Sequence, residues 1–200
     1  GAESGAEAFS DESLERLPPG AMVLLRSRAL ALRLWAAQLA YGARPDVLVV
    51  ATPLLGDGRT AMGLLRAEPA VQGLMRDISI DGHAGEQSLT VVADLRPLEL
   101  ELDPGYAKRL ISHMVADHLW LRFFPQPLGA SDRRAAASTL RSRVAGLVDK
   151  ADPRTLAVVK ARLRDHATAL ATLGDRTEAI ALLGDLEQLA GADLFVVELM

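Results

Sequence analysis

Three polar residues, Arg26-Ser27-Arg28, follow an apolar run, residues 21–25, that is typical of a strand covered on both faces. In an open α/β sheet, ligands bind in crevices outside the carboxyl ends of the strands. If a helix begins at this turn, its backbone N–H groups and its dipole favour an anion. Arg26, Ser27 and Arg28 are therefore candidate ligands of a phosphate or carboxylate, and Asp57 is a further candidate for the same crevice.

The same turn lacks the glycines that nucleotide sites require. The chain contains neither G-x-G-x-x-G nor G-x-x-x-x-G-K-[ST], so neither a dinucleotide fingerprint nor a phosphate-cradling loop is present. The alternative to an anion site is a solvated turn that serves only the scaffold, and the sequence favours this alternative. We expect no cofactor.

Two carboxylates, Glu99 and Glu101, fall on one face of a predicted strand, residues 98–102. Paired carboxylates can serve as acid and base in glycoside cleavage. However, the alternation of Leu and Glu is fully explained by a half-exposed edge strand.

The four histidines do not form a metal motif. His113 and His118 are five residues apart, about 140 degrees around a helix, whereas zinc-binding pairs use a spacing of four. With His83 and His166 they are interpreted as surface or satisfied core histidines. No G-x-S-x-G and no cysteine is present, so we expect no metal and no catalytic residue in this chain.

The elements that would position these residues begin with a βαβ unit. After a loose leader, residues 1–16, come a strand at 21–25, an amphipathic helix at 29–41 that ends at Gly42, and a strand at 46–50. Such a crossover makes a parallel sheet.

Beyond the unit, the pattern predicts a mixture of helices and strands. The predictions are a helix at 60–75 with a break near Pro69, a loop at 81–87, strands at 88–94 and 98–102, and a helix from Asp103-Pro104 to Phe124.

The composition then changes to a helical tail. Three helical patterns span residues 131–150, 153–173 and 177–189, and residues 194–199 are strand-like by composition but could equally extend a helix. We therefore predict an α/β fold: a small parallel or mixed sheet with flanking helices in a Rossmann-like domain, residues 17–127, followed by an all-α tail, residues 128–200. The tail can pack on the α/β part or stand apart.

Composition limits the partners. The chain has 200 residues, a net charge of −4 and no cysteine, which excludes disulfides and argues against nucleic acid as a partner. The basic residues Arg133, Arg134, Arg141 and Arg143 are interpreted as a solvated helix face, and Trp120, Phe123 and Phe124 as core or an interdomain contact. Arginines interrupt the longest apolar run, so we expect no direct membrane insertion by this chain, and we expect no signal peptide at its start.

The last helical pair resembles one tetratricopeptide unit. Its cadence is Leu163, His166, Ala167 and Leu170, then a Gly174-Asp175 turn, then Ala179, Leu183 and Leu186. One such unit would cap this domain or begin an array.

A longer stretch resembles the C-terminal region of a bacterial family of multi-spanning membrane proteins similar to protein O-mannosyltransferases. The resemblance rests on Leu17-Pro18-Pro19-Gly20, Leu34-Trp35 with Gln38, Arg44-Pro45-Asp46-Val47 and the helical hairpin that follows.

This resemblance implies that sugar transfer is done by carboxylates of a membrane-embedded half that this chain does not contain. The chain would then be a non-catalytic accessory domain on the extracytoplasmic face of the cytoplasmic membrane, with that membrane-embedded half or an acceptor protein as its partner. Two alternatives stay open: a free-standing, cytoplasmic α/β enzyme or binding protein for a small phosphorylated or sugar ligand, and a tetratricopeptide-type adaptor.

Overall fold

A computed structural model describes residues 13–148 and 153–190 of the chain. Its strands are β1 (Met22–Leu25), β2 (Leu48–Ala51), β3 (Leu98–Leu100), β4 (Met114–Asp117) and β5 (Trp120–Phe123). Its helices are α1 (Arg28–Tyr41), α2 (Gly58–Ala67), α3 (Gln72–Asp81), α4 (Glu86–Leu95), α5 (Lys108–Ile111), α6 (Ala130–Val148), α7 (Pro153–Leu173) and α8 (Arg176–Ala190). Short 3-10 turns, Thr52–Leu54 and Pro69–Val71, flank α2. Most of the predicted leader and the strand-like segment 194–199 lie outside the described residues.

The strands form one mixed sheet in the order β2-β1-β3-β5-β4. β1 pairs in parallel with both β2 and β3, while β5 is antiparallel to β3 and to β4. The predicted βαβ unit and the α/β fold class are therefore confirmed.

The first helix follows from its sequence. Ser27 caps its start by accepting a hydrogen bond from the backbone N–H of Leu30, and Gly42 ends it in the left-handed conformation, φ 65°. Of the apolar stripe predicted to face the core, Leu30, Leu34 and Ala37 are buried, but Tyr41 is exposed.

The prediction of a strand at residues 88–94 is wrong, because these residues lie in α4. Ser88, Leu89 and Val92 are its buried residues, and this spacing is helical. The run of β-branched residues suggested a strand, but burial on one helical face decides the conformation.

The prediction of an edge strand at residues 98–102 is also wrong. β3 lies in the interior of the sheet, hydrogen-bonded on both sides, and all three of its residues are buried. Glu99 pairs with Val23 of β1 and with Arg122 of β5. The alternation of Leu and Glu therefore reflects a strand that is covered on both faces of the sheet, with the leucines on one face and the buried carboxylates on the other.

The long helix predicted from Asp103 to Phe124 is replaced by a turn, the short α5 and the β4–β5 hairpin. Asp103 accepts a hydrogen bond from the backbone N–H of Gly105, which makes a turn where a helix cap was expected. His118 lies in the hairpin turn at φ 53°. The cross-strand pairing of Met114 with Phe123 supplies the stabilisation that local sequence does not reveal.

Two apolar clusters cover the two faces of the sheet. On one face, Val23 and Leu25 of β1 pack with α1 and with all three tail helices. On the other, Met22 and Leu24 pack with α3 and α4. The tail, whose three helices are as predicted, therefore packs on the sheet, and Trp120 and Phe123 are core residues.

Residues at the margins of the predicted segments also join this core. Ser13 and Leu14, which the sequence places in the leader, are buried, and the carbonyl of Ser13 accepts a hydrogen bond from the indole N–H of Trp120. Among the described residues, no helix is both long enough and apolar enough to cross a membrane.

Candidate functional site

The crevice expected from the sequence lies between β1 and β3. The β1–β2 crossover contains α1 on one face of the sheet, and the β2–β3 crossover contains α3 and α4 on the other. The first crossover leads from β1 to a strand on one side of it, and the second leads back to a strand on its other side. The carboxyl ends of β1 and β3 therefore flank a topological switch point, where open α/β sheets bind their ligands.

The protein's own carboxylate occupies the start of α1 at this point. Oε2 of Glu101 accepts hydrogen bonds from the backbone N–H groups of Arg26 and Ser27, at 2.5 and 2.8 Å. These donors are the groups that would hold a phosphate at a helix N-terminus. Glu101 thus fills the position for which the sequence offered an external phosphate or carboxylate as one of two alternatives.

A guanidinium from the tail holds this carboxylate from the other side. Nη1 of Arg162, on α7, lies 2.7 Å from Oε1 of Glu101, and Nη2 of Arg162 lies 3.2 Å from Asp165. Glu101 and Arg162 are both buried. Because separating a buried ion pair leaves an uncompensated charge out of water, the pair fixes α7 against the carboxyl end of β3.

The acid Asp165 is perturbed by the same surroundings. Burial raises its pKa to about 6, the negative charge of Glu101 adds to the increase, and the positive charge of Arg162 opposes it. Asp165 therefore changes charge near pH 6.

A narrow cleft opens above Glu101. Its polar lining consists of Arg26, Thr52, His83, Glu101, Asp103 and Tyr106. Nε of Arg26 lies 3.3 Å from Asp103, and its Nη1 donates to the carbonyl of Leu102. The charged groups of the cleft are thus largely paired with one another.

The aromatic wall of the cleft is formed by His83 and Tyr106, whose rings meet edge to face at 6.3 Å. Burial, followed by the charge of Asp103, raises the pKa of the Tyr106 hydroxyl, and Arg26 lowers it. Tyr106 is therefore neutral at physiological pH.

The structure brings together only part of the predicted site. Arg26 lines the cleft, and Ser27 caps α1 while its backbone holds Glu101. Arg28 is exposed in the first turn of α1 and does not line the cleft. Asp57 caps α2: its carboxylate accepts hydrogen bonds from the N–H and hydroxyl of Thr60, which lower its pKa.

Glu101 and Arg162, the residues that fill the anion position, were not predicted to meet, since they are 61 positions apart in the sequence. The one local signal was the presence of Arg162 and His166 beside Leu163 on the inner face of an amphipathic helix. Polar residues on such a face need partners in the core.

Besides Glu101, which follows β3, a second carboxyl group is buried in this region: Glu99, within β3, is fully buried. Burial raises its pKa well above the usual value, the carboxylate of Asp117 adds to this, and Arg122, with Nε 3.8 Å away, opposes it. Its surroundings therefore favour the protonated form of Glu99, and it lies in the sheet rather than in the cleft.

The histidines show no metal arrangement. No group of three or more His, Cys, Asp or Glu side chains that could hold a metal occurs within residues 13–148 and 153–190. Nδ1 of His113 lies 2.9 Å from the carbonyl of Phe124, and Nδ1 of His118 lies 2.6 Å from a guanidinium nitrogen of Arg143. His113 and His118 are not on one helix, so the spacing argument used for them was wrong.

His166 is the most deeply buried histidine. Burial, followed by the charge of Arg162, lowers its pKa to about 3, so its ring is neutral. It lines a small, mostly apolar cavity between α7 and the β4–β5 hairpin.

The basic tail residues are also engaged with acids. Arg133 pairs with Asp175 and Arg141 with Asp185, which ties α6 to the end of α7 and to α8. The interpretation of Arg133 as solvated is wrong, because its side chain is largely buried in this pair.

Comparison with known proteins adds no identity to this geometry: no family model, no curated protein and no solved structure matches the chain.

Proposed function

We propose that this chain is a non-catalytic accessory domain that interacts with another protein. The observation that supports this most directly is the carboxylate of Glu101 at the N-terminus of α1, bound by two backbone N–H groups and by Arg162. An external phosphate would have to displace a buried, paired charge to reach the same donors. The position where an α/β enzyme of this topology binds an anionic substrate is therefore taken.

The family resemblance supplies the context of the proposal. It places the domain beside the membrane-embedded half of a glycosyltransferase-like protein, on the extracytoplasmic face of the cytoplasmic membrane. There it holds that half or an acceptor protein, and the sugar chemistry occurs elsewhere. The full reading frame tests this context, since it should encode many hydrophobic spans.

The experiment compares the intact chain with Glu101→Ala in thermal unfolding. Inorganic phosphate, formate and a panel of sugar nucleotides should leave the melting temperature of the intact chain unchanged. A ligand present at 100 times its Kd would stabilise the chain by about 2.7 kcal/mol, a readily measured shift. In the variant the helix N-terminus and Arg162 lose their anion, so formate or phosphate should partly restore its lowered melting temperature.

The intact chain should also leave a polyprenyl-phosphate sugar unreacted. Turnover of that substrate, or a sugar-nucleotide shift in the intact chain, would show the accessory role to be wrong. Both measurements are independent of whether Glu101→Ala folds.

A second candidate, a binding protein or enzyme for a small anionic ligand, is favoured by one observation: Arg26 lines the cleft together with His83 and Tyr106. It predicts that phosphate stabilises the intact chain and that Arg26→Ala abolishes the effect, with exposed Arg28→Ala as the matched control.

The tetratricopeptide adaptor is the third proposal. It is supported by the α7–α8 hairpin, in which Gly174 adopts φ +89° at the turn and Leu163, Ala167, Leu183 and Leu186 are buried. It requires further helical repeats after Met200 in the full reading frame.

A further inference from the structure

Helix α1 has a second apolar stripe on its outer side. Leu30, Ala31, Leu34 and Ala37 face the sheet, whereas Ala29, Leu32, Ala36 and Leu39 are exposed. Leu32 is 51% exposed and Leu39 is 88% exposed. Although α1 also contains Arg33 and Gln38, its outer stripe consists of apolar residues only, and an apolar stripe left exposed on a surface helix predicts a partner.

The spacing of the outer stripe indicates what kind of partner covers it. Successive residues of the stripe are three, four and three positions apart. This is the alternation of a coiled-coil seam, in which apolar residues recur every 3.5 positions on average and pack against another helix. The partner surface is therefore helical.

The order of residue sizes points to a second copy of α1 in antiparallel orientation. Along the seam, alanine and leucine alternate. In an antiparallel pair, Ala29 faces Leu39 of the second copy and Leu32 faces its Ala36, so each layer combines one small and one large side chain. A parallel pair would stack Ala on Ala and Leu on Leu, which leaves gaps in alternate layers.

Charge complementarity selects the same orientation. Arg28 stands at the N-terminal end of α1, and the helix contains no acidic residue. In an antiparallel pair, Arg28 lies beside the C-terminal end of the second helix, where the dipole is negative. In a parallel pair the two Arg28 side chains would repel each other.

We propose that the outer face of α1 is a homodimer interface in which two copies of this chain pack their α1 helices antiparallel. The seam is Ala29, Leu32, Ala36 and Leu39, with Arg28 beside its N-terminal end. This interface goes beyond the accessory role and does not depend on the state of the cleft.

Cysteine cross-linking tests the orientation directly, since the chain contains no native cysteine. Ala29→Cys and Leu39→Cys are prepared as separate single variants and oxidised alone and as an equimolar mixture. Covalent dimer should form in the mixture and not with either variant alone. Cross-linking of the single variants would indicate a parallel pair, and no cross-link in any sample would indicate no such interface; either result overturns the proposal.

Sedimentation or light scattering tests the interface without oxidation. The intact chain should dimerise, and Leu32→Glu and Leu39→Glu should each weaken self-association at least tenfold while the far-UV circular dichroism is retained. Leu95→Glu, a matched change at an exposed leucine of α4, should leave association unchanged. A monomeric intact chain at a concentration of hundreds of micromolar, or equal loss in the Leu95 control, would overturn the proposal.

Discussion

At the scale of single residues, this protein is defined by charges taken out of water. Glu101, Arg162 and Asp165 meet where the tail crosses the carboxyl end of β3. Two backbone N–H groups and one guanidinium stabilise the Glu101 carboxylate, whereas Asp165 contacts only the guanidinium of Arg162, which it shares with Glu101. The site therefore contains one well-compensated carboxylate and one that is poorly compensated.

The pH dependence of stability should follow from Asp165. Its pKa is about 6 in the folded protein, above the value of 3.8 that is usual for an aspartate, so the folded state binds the proton more tightly. The stabilisation that comes from the protonated Asp165 carboxyl is complete at low pH and is lost as the pH rises from about 4 to about 6. Asp165→Asn should raise the free energy of unfolding at pH 7.5 by about 1–2 kcal/mol and leave it almost unchanged at pH 4.

Urea unfolding at a series of pH values measures this effect. Asp94→Asn, which replaces an exposed carboxylate of α4, is the control and should preserve the slope between pH 4 and pH 6. If Asp165→Asn destabilises the protein at pH 7.5, the ion pair with Arg162 outweighs the cost of burial, and the prediction is wrong.

At the scale of elements, α1 connects the two proposals. Its first turn supplies the donors for Glu101, its inner stripe covers the sheet, and its outer stripe is the proposed dimer seam. Gly42 determines where it ends, because the left-handed φ of 65° is accessible to glycine at little cost. A shifted end would move the C-terminal turn of the seam.

Two glycine substitutions isolate this backbone effect. An added Cβ meets no atom within 4 Å at Gly42 or at Gly63, so the two sites differ only in conformation. Gly42→Ala should lower the free energy of unfolding by about 1 kcal/mol, because alanine is strained at positive φ. Gly63→Ala, in the interior of α2, should raise it by about 0.5–1 kcal/mol. Equal effects of the two substitutions in thermal unfolding would contradict the assignment of strain.

At the scale of the whole molecule, the tail and the sheet share one core. Trp120 and Leu119 of the hairpin pack in the same cluster as Leu140, Leu163 and Leu182 of the three tail helices. The Glu101–Arg162 pair adds a buried charge contact across the same boundary. The tail therefore completes the α/β part instead of extending from it.

Truncation tests this dependence. Removal of residues 128–200 would expose one face of the sheet and leave Glu101 without Arg162, so the shortened chain should fail to fold cooperatively. The full chain should show a single transition whose midpoint is the same by near-UV and far-UV circular dichroism. A folded, cooperative fragment of residues 1–127 would show that the tail is an independent unit.

The sequence by itself determined the elements whose cause is local. The βαβ unit was predicted because its strands are continuous apolar runs and its helix has an apolar face and a terminal glycine. The three tail helices were predicted for the same reasons. The position of Arg26 and Ser27 in the turn after β1 follows from the sequence, because a strand-to-helix turn defines that position; in the structure Arg26 lines the cleft and Ser27 caps α1.

Only the tertiary structure decided the rest. Residues 88–94 and 103–124 were misassigned because packing on one helical face and cross-strand pairing overrode local composition. The Leu-Glu alternation at 98–102 fits an exposed strand and a buried one equally well, and the arrival of Arg162 from 61 positions away selects the buried form. Charge compensation over such a separation depends on the folded chain bringing the two groups together, so no local pattern can reveal it.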